Sequence, residues 1–162
     1  MNNEDKASFK DPCVIFLSFF GTGFSPYAPG TVGTFACLPL FYGLGLLQAP
    51  KFLFLPFVII LTILSCYIAE ITQKKYEIHD PSWIVLDEVL GLAVAWLFLS
   101  QYSIVALASA AALFRLFDIV KVWPASFFDR LDHGSGTILD DIVAGIYAGL
   151  TFLLFTWLSQ LV

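Results

Sequence analysis

Between Phe52 and Ile71 the chain runs for 20 residues with Glu70 as its only charge. A helix needs roughly 20 mostly apolar residues to cross the hydrocarbon core of a bilayer. Inside lipid the backbone must satisfy its own N–H and C=O groups, which a helix does and an isolated strand does not. This stretch therefore predicts a membrane-spanning helix, and composition extends the prediction to the whole chain. Hydrophobic residues make up 59% of the 162 and charged residues 13%, against roughly 45–50% and about 25% in soluble proteins. A soluble fold of this length could not hide so much apolar surface, whereas a bilayer accepts it. The length suits one domain, residues 1–162.

The expected fold class is all-α: an integral membrane bundle of about five spanning or half-spanning helices plus a short N-terminal interfacial helix. Val14 to Phe20 is apolar but too short to cross, so it is assigned to the interface. Gly21 to Thr31 holds three glycines and two prolines, which predicts an irregular loop rather than helix. The expected spans are Val32–Leu47, Phe52–Ile71, Trp83–Leu99, Tyr102–Val120 and Ile138–Leu161, with a polar connection over Val122–Gly136; three or four spans are alternatives. A hairpin through Ser100–Ser103 is preferred over one long helix because it puts Lys74, Lys75, Arg115, Lys121 and Arg130 on one side and only Lys51 on the other. Basic residues favour the cytoplasmic side.

A net charge of −5, with eight Lys and Arg and no basic stripe, excludes a nucleic-acid partner. The three cysteines, Cys13, Cys37 and Cys66, sit in apolar stretches at spacings that match no metal motif. Oligomeric state is left open.

Carboxylates at the mouths of spans carry the functional signal. Ile84-Val-Leu-Asp-Glu-Val-Leu90 is echoed by Thr137-Ile-Leu-Asp-Asp-Ile-Val143, so Asp87 and Glu88 open one expected span and Asp140 and Asp141 another. Adjacent helical residues point about 100° apart, so one acid of each pair is expected to face the bundle interior. An ionised group within a span costs about 2.5–3.5 kcal/mol on insertion scales, and four of them need a reason. Helix capping accounts for one acid at a helix start but less well for pairs. A divalent-cation site accounts for all four: Mg²⁺ or Mn²⁺ prefers carboxylate oxygens, and the His/Cys spacing for zinc is absent.

Arg115, Asp118 and Lys121 repeat an i,i+3 spacing that puts them on one helix face. They form either a surface ion-pair ladder or a set in which Asp118 joins the acids while Arg115 and Lys121 hold a phosphate. The glycine-rich loop offers backbone amides and the hydroxyls of Thr22, Ser25, Thr31 and Thr34, and it leads into a helix N-terminus, a natural anion site. His79 and His133 fall in polar loops. A cation-binding or transport subunit without enzymatic activity is the alternative, but it places acids near mid-span.

Four blocks, in order, resemble the phosphatidylglycerophosphatase A family of bacterial membrane enzymes. They are Gly21-Thr-Gly-Phe-Ser-Pro-Tyr-Ala-Pro-Gly-Thr-Val-Gly33; His79-Asp80 with Leu86-Asp-Glu-Val-Leu-Gly91; Phe114-Arg-Leu-Phe-Asp-Ile-Val-Lys-Val-Trp-Pro124; and Asp129-Arg130 with His133-Gly-Ser-Gly136 and Asp140-Asp-Ile-Val-Ala-Gly145. The chain departs from the family at Val122, where proline is usual, and at Ser135, where glycine is usual. The resemblance implies an all-helical, multi-pass protein of the bacterial inner membrane. It implies Mg²⁺-dependent hydrolysis of a phospholipid substrate, phosphatidylglycerophosphate, to phosphatidylglycerol and phosphate, with the site facing the cytoplasm. On that basis Asp87, Glu88, Asp140 and Asp141 are expected to hold the metal, with Asp118 a further catalytic carboxylate. Thr22, Gly23, Thr31, Arg115, Lys121 and Arg130 are expected to bind the phosphate.

Overall fold

A computed structural model describes residues 7–48, 50–100 and 103–161. Tyr102, the expected start of the fourth span, and the first six residues lie outside them. The described elements are helices and 3₁₀ turns: α1 (Pro12–Leu17), α2 (Pro29–Leu46), α3 (Leu55–Tyr76), α4 (Leu86–Leu97), α5 (Ile104–Val120), α6 (Ala125–Phe128) and α7 (Gly134–Leu158).

Local chemistry sets most of the helix starts. Asp11 caps α1 by accepting from the Cys13 amide at 2.9 Å, with Pro12 at the first helical position. Ser103 caps α5 by accepting from the Ala106 amide at 3.0 Å. Asp11 also accepts from Lys75 Nζ at 2.6 Å and from the Tyr76 hydroxyl at 2.9 Å, which ties α1 to the end of α3. The Lys75 ammonium holds the Asp11 carboxyl below the usual carboxylate range, against the opposing effect of burial.

Two boundaries differ from expectation. The irregular loop ends early, because Pro29-Gly30-Thr31 already form the first turn of α2. A proline at this position gives up an N–H that has no helical partner anyway, and its fixed φ suits the helix. The polar connection ends early too, with α6 inside it and α7 starting at Gly134 rather than Ile138. The extra turn of α7 is held by α3: Glu70 Oε2 accepts from the Gly134 amide at 2.8 Å, and Gln73 donates to the Thr137 hydroxyl at 3.0 Å.

Among the described residues, three helices are long and apolar enough to cross a membrane: Pro29–Leu46, Lys51–Tyr76 and Gly134–Leu158. The expected span Trp83–Leu99 is instead the 12-residue α4, about 18 Å long at 1.5 Å per residue and short of a ~30 Å core. Within α4 only Glu88 and Leu97 are not fully buried. Helices α2, α3, α5 and α7 surround α4, and α7 packs against α3, α5 and α6 as well. A helix that is apolar all round is buried either in lipid or in protein, and here the protein surrounds it. The 17-residue α5 falls below the length of the three long helices. Exposed apolar residues such as Ile60 and Ile63 of α3 and Leu154 and Phe155 of α7 give the long helices an outer surface suited to lipid.

The two faces of α4 differ. Leu86, Leu90 and Ala93 line an apolar cavity of about 300 Å³ against α2 and α3, and Asp87 and Glu88 face the other way. At the far end of α4, Lys51 donates to the Trp96 carbonyl at 3.0 Å.

Candidate active site

The acid-bearing turn of α4 meets α7 through glycine. A Cβ on Gly145 would lie 2.2 Å from the Gly91 carbonyl oxygen, and one on Gly91 would lie 2.7 Å from the Asp141 carbonyl oxygen. The two backbones touch, as small residues permit in membrane bundles. Gly91 follows Asp87 by four residues and Gly145 follows Asp141 by four, so each acid sits one turn above the crossing on the same helix face. The crossing thus brings the two acids to a common level.

Asp87, Glu88 and Asp141 converge, each offering an oxygen within 4.8 Å of the others. Asp87 and Asp141 are buried and Glu88 nearly so. Asp140, expected in the same set, turns to a cation: its Oδ2 accepts from Lys121 Nζ at 2.7 Å. Lys121 also pairs with Asp129. Burial works against the Lys121 charge, yet Asp129 and Asp140 together raise its pKa above the ordinary lysine value. Arg115 Nη1 lies 2.7 Å from Asp118 Oδ2 and 3.6 Å from Glu88 Oε1.

All of these groups except Asp129 line one cavity of about 280 Å³ at the α2–α4–α5–α7 junction. All four paired acids line it, Asp140 among them although it turns to Lys121. The 100° offset leaves both members of each pair within a cavity that wraps around each helix end. Capping fails for the second pair, because Asp140 and Asp141 lie beyond the first turn of an α7 that starts at Gly134. Asp87 does accept from the neighbouring Glu88 amide at 2.9 Å.

Of the expected phosphate-binding residues, Arg115 and Lys121 line the cavity, and Thr22, Gly23, Thr31 and Arg130 are not among its lining residues. The Thr22 hydroxyl donates back to the Ser18 and Phe19 carbonyls, and Gly23 packs on the Trp83 carbonyl. The glycine loop reaches the cavity at its other end, through Ala28, Pro29 and Gly30. There the Gly30 and Thr31 amides precede the first helical hydrogen bond, Val32 N–H to Ala28 O at 3.0 Å, so the α2 N-terminus presents its positive dipole end.

Sequence pattern alone does not single out Gly30. A Cβ there would fall 1.9 Å from Glu88 Oε1 and 3.2 Å from Arg115 Nη1. Its only signal was a Pro-Gly pair at a helix start. Gly30→Ala is expected to fold, because the flexible Glu88 side chain can yield. It should displace the carboxylate enough to lower kcat/KM by about 10²-fold, the scale of an ångström-level misplacement. Steady-state kinetics beside a thermal melt checks this; a variant with wild-type kcat/KM would show that Glu88 position is unimportant.

The cluster fits a hard divalent cation. All donors are oxygens, and Glu88 Oε2 is buried with no hydrogen-bond partner among the described residues. Asp140 Oδ1 is likewise buried and unpartnered.

Helices of membrane length closed over an acid-lined cavity with two paired cations define a helical membrane protein with a polar site at one end. The chain belongs to the phosphatidylglycerophosphatase A family, whose sequence profile matches residues 15–156. A phosphatidylglycerophosphatase A from Escherichia coli K12 is 32% identical over 151 residues, covering 92% of this chain and 87% of that protein. One from Haemophilus influenzae is 36% identical over 144 residues, 88% of each. A Bacteroides thetaiotaomicron protein, provisionally named phosphatidylinositol-3-phosphatase, is 30% identical over 158 residues, 89% of this chain and 93% of that protein. No solved structure matches significantly. Membership makes the chain an enzyme of a phosphatase family, which sets aside the transport-subunit alternative.

Proposed function

We propose that the protein hydrolyses the phosphomonoester of phosphatidylglycerophosphate to phosphatidylglycerol and inorganic phosphate, with Mg²⁺ held by Asp87, Glu88 and Asp141. One observation carries the reading: three convergent carboxylates share a cavity with Arg115 and Lys121. Acids alone would repel a phosphate, and cations alone would bind it without chemistry.

The cation would supply Lewis-acid polarisation of a phosphoryl oxygen. The chain's own groups do the rest. Arg115 and Lys121 neutralise the phosphate dianion as it leaves water. The α2 N-terminus at Gly30 adds its dipole to the same anion. Water attacks phosphorus and the bond from phosphorus to the glycerol oxygen breaks. In this reading Asp140 Oδ1, buried and unpartnered among the described residues, takes the water's proton and passes it to the departing alkoxide, which becomes the lipid's hydroxyl. The site faces the cytoplasmic side of a bacterial inner membrane. That orientation is supported by Lys74 and Lys75 at the end of α3 that bonds to the start of α7, and by Lys51 at the opposite end of α4.

The test is phosphate release from purified protein in vesicles. Phosphatidylglycerophosphate and phosphatidylinositol 3-phosphate are offered separately, with Mg²⁺ or with a chelator. Release from the first lipid only, and only with Mg²⁺, is expected. Equal release under chelator would remove the metal from the reading. Release from the inositol lipid alone would reassign the headgroup in favour of the second reading, which the name of the Bacteroides relative supports.

A further inference from the structure

The geometry points to Asp129 as a positioning residue that holds Lys121 at the cavity mouth while the phosphate enters. The inference rests on the phosphatase reading for what Lys121 binds, but not for what holds Lys121.

Lys121 closes α5 in a left-handed conformation, φ 46°, so its side chain leaves the helix at an angle and needs an anchor. Two carboxylates take it. Asp140 lies inside, its side chain 6% exposed, and is one of the cavity walls. Asp129 lies outside, its side chain 38% exposed, and does not line the cavity. An incoming phosphate competes with Asp140 for the ammonium, because both approach from the cavity. It does not displace Asp129.

The Asp129 backbone is well placed to act as a fixed post. Its amide donates to the Ala125 carbonyl at 3.0 Å, which closes the single turn of α6. Ala125 is buried, and α6 packs on α7. The Tyr147 hydroxyl of α7 donates to the Trp123 carbonyl at 2.7 Å, pinning the approach to α6. Lys121 is thus gripped from an element braced on α7, the helix that carries Asp140 and Asp141. Without the outer grip, a lysine side chain has several rotatable bonds to lose on binding a phosphate.

Two measurements test this. The first needs no turnover: acetylation of Lys121 by an N-hydroxysuccinimide ester, read by mass spectrometry on the membrane-reconstituted protein. Asp129→Asn is expected to speed labelling of Lys121 several-fold, and Asp129→Glu to leave it near wild type. Unchanged labelling in Asp129→Asn overturns the inference, whatever the protein's activity. The second is kinetic. Lys121 contacts phosphate before and during reaction, so its loss of position removes uniform binding. Asp129→Asn should raise KM about tenfold, one charge-assisted contact's worth, with kcat within about twofold. In a Lys121→Met background the same change should have no further effect, since the partner it positions is gone. A fall in kcat with KM intact, or full additivity with Lys121→Met, would show that Asp129 acts elsewhere. A wild-type protein that releases no phosphate defeats the phosphatase reading and leaves the labelling result to decide the positioning role.

Discussion

Asp141→Asn is expected to cut Mg²⁺-dependent phosphate release by about 10²–10³-fold, the scale of losing one preorganised contact to the transition state. Asn keeps the shape of the side chain and one oxygen but removes a charge from a cluster of three buried acids. The stability response should run the other way. Without metal, Asp87, Glu88 and Asp141 repel one another in a poorly solvated cavity, so the chelator-treated variant should melt no lower than wild type. Added Mg²⁺ should raise the wild-type melting temperature, because a ligand that binds only the folded state stabilises it. That rise should shrink or vanish in Asp141→Asn. Melting curves with and without Mg²⁺, beside a phosphate-release assay, separate the outcomes. A variant that keeps both its turnover and its Mg²⁺ shift would remove Asp141 from the metal set.

Gly145→Val should be damaging in a different way. The first added carbon meets the Gly91 carbonyl oxygen at 2.2 Å, and a backbone oxygen cannot swing aside as the Glu88 carboxylate can. The helices must separate. Overpacking of this kind costs about 1–3 kcal/mol, and the separation lies one turn from Asp141. Activity should therefore fall by about 10²-fold through misplacement alone, together with a lower melting temperature. Gly145→Ala should show the same two losses in milder form. By contrast, Gly43→Ala is expected to be neutral, because a Cβ at Gly43 meets nothing within 4 Å. If Gly145→Val kept full activity, the close crossing would not be what aligns the acids.

Much of the site was legible along the chain because its chemistry is unusual there. Paired acids beside strongly apolar runs are expensive in a membrane setting, so Asp87, Glu88, Asp140 and Asp141 stood out without any fold. The Arg115, Asp118 and Lys121 spacing put those three on one face, and all three line the cavity. Division of labour within the set was not legible. Asp140 pairs with Lys121 rather than joining Asp87, Glu88 and Asp141, a choice made by α5 ending at Lys121 beside α7. The glycine loop offers several hydroxyls along the sequence, yet Thr22 commits its hydroxyl to its own turn. The loop instead contributes Gly30, where the lack of a side chain makes room for Glu88.

Taken alone, the order of residues determined the membrane setting, the all-helical class and the presence of an acid-rich polar site, since each follows from the cost of moving particular groups between water and lipid. Only the tertiary structure decided which apolar helix faces lipid and which lies inside, because an apolar side chain gains much the same from either surrounding. It also decided which carboxylates converge. That depends on how closely two backbones can approach at Gly91 and Gly145, a distance set by both helices together and written in neither one.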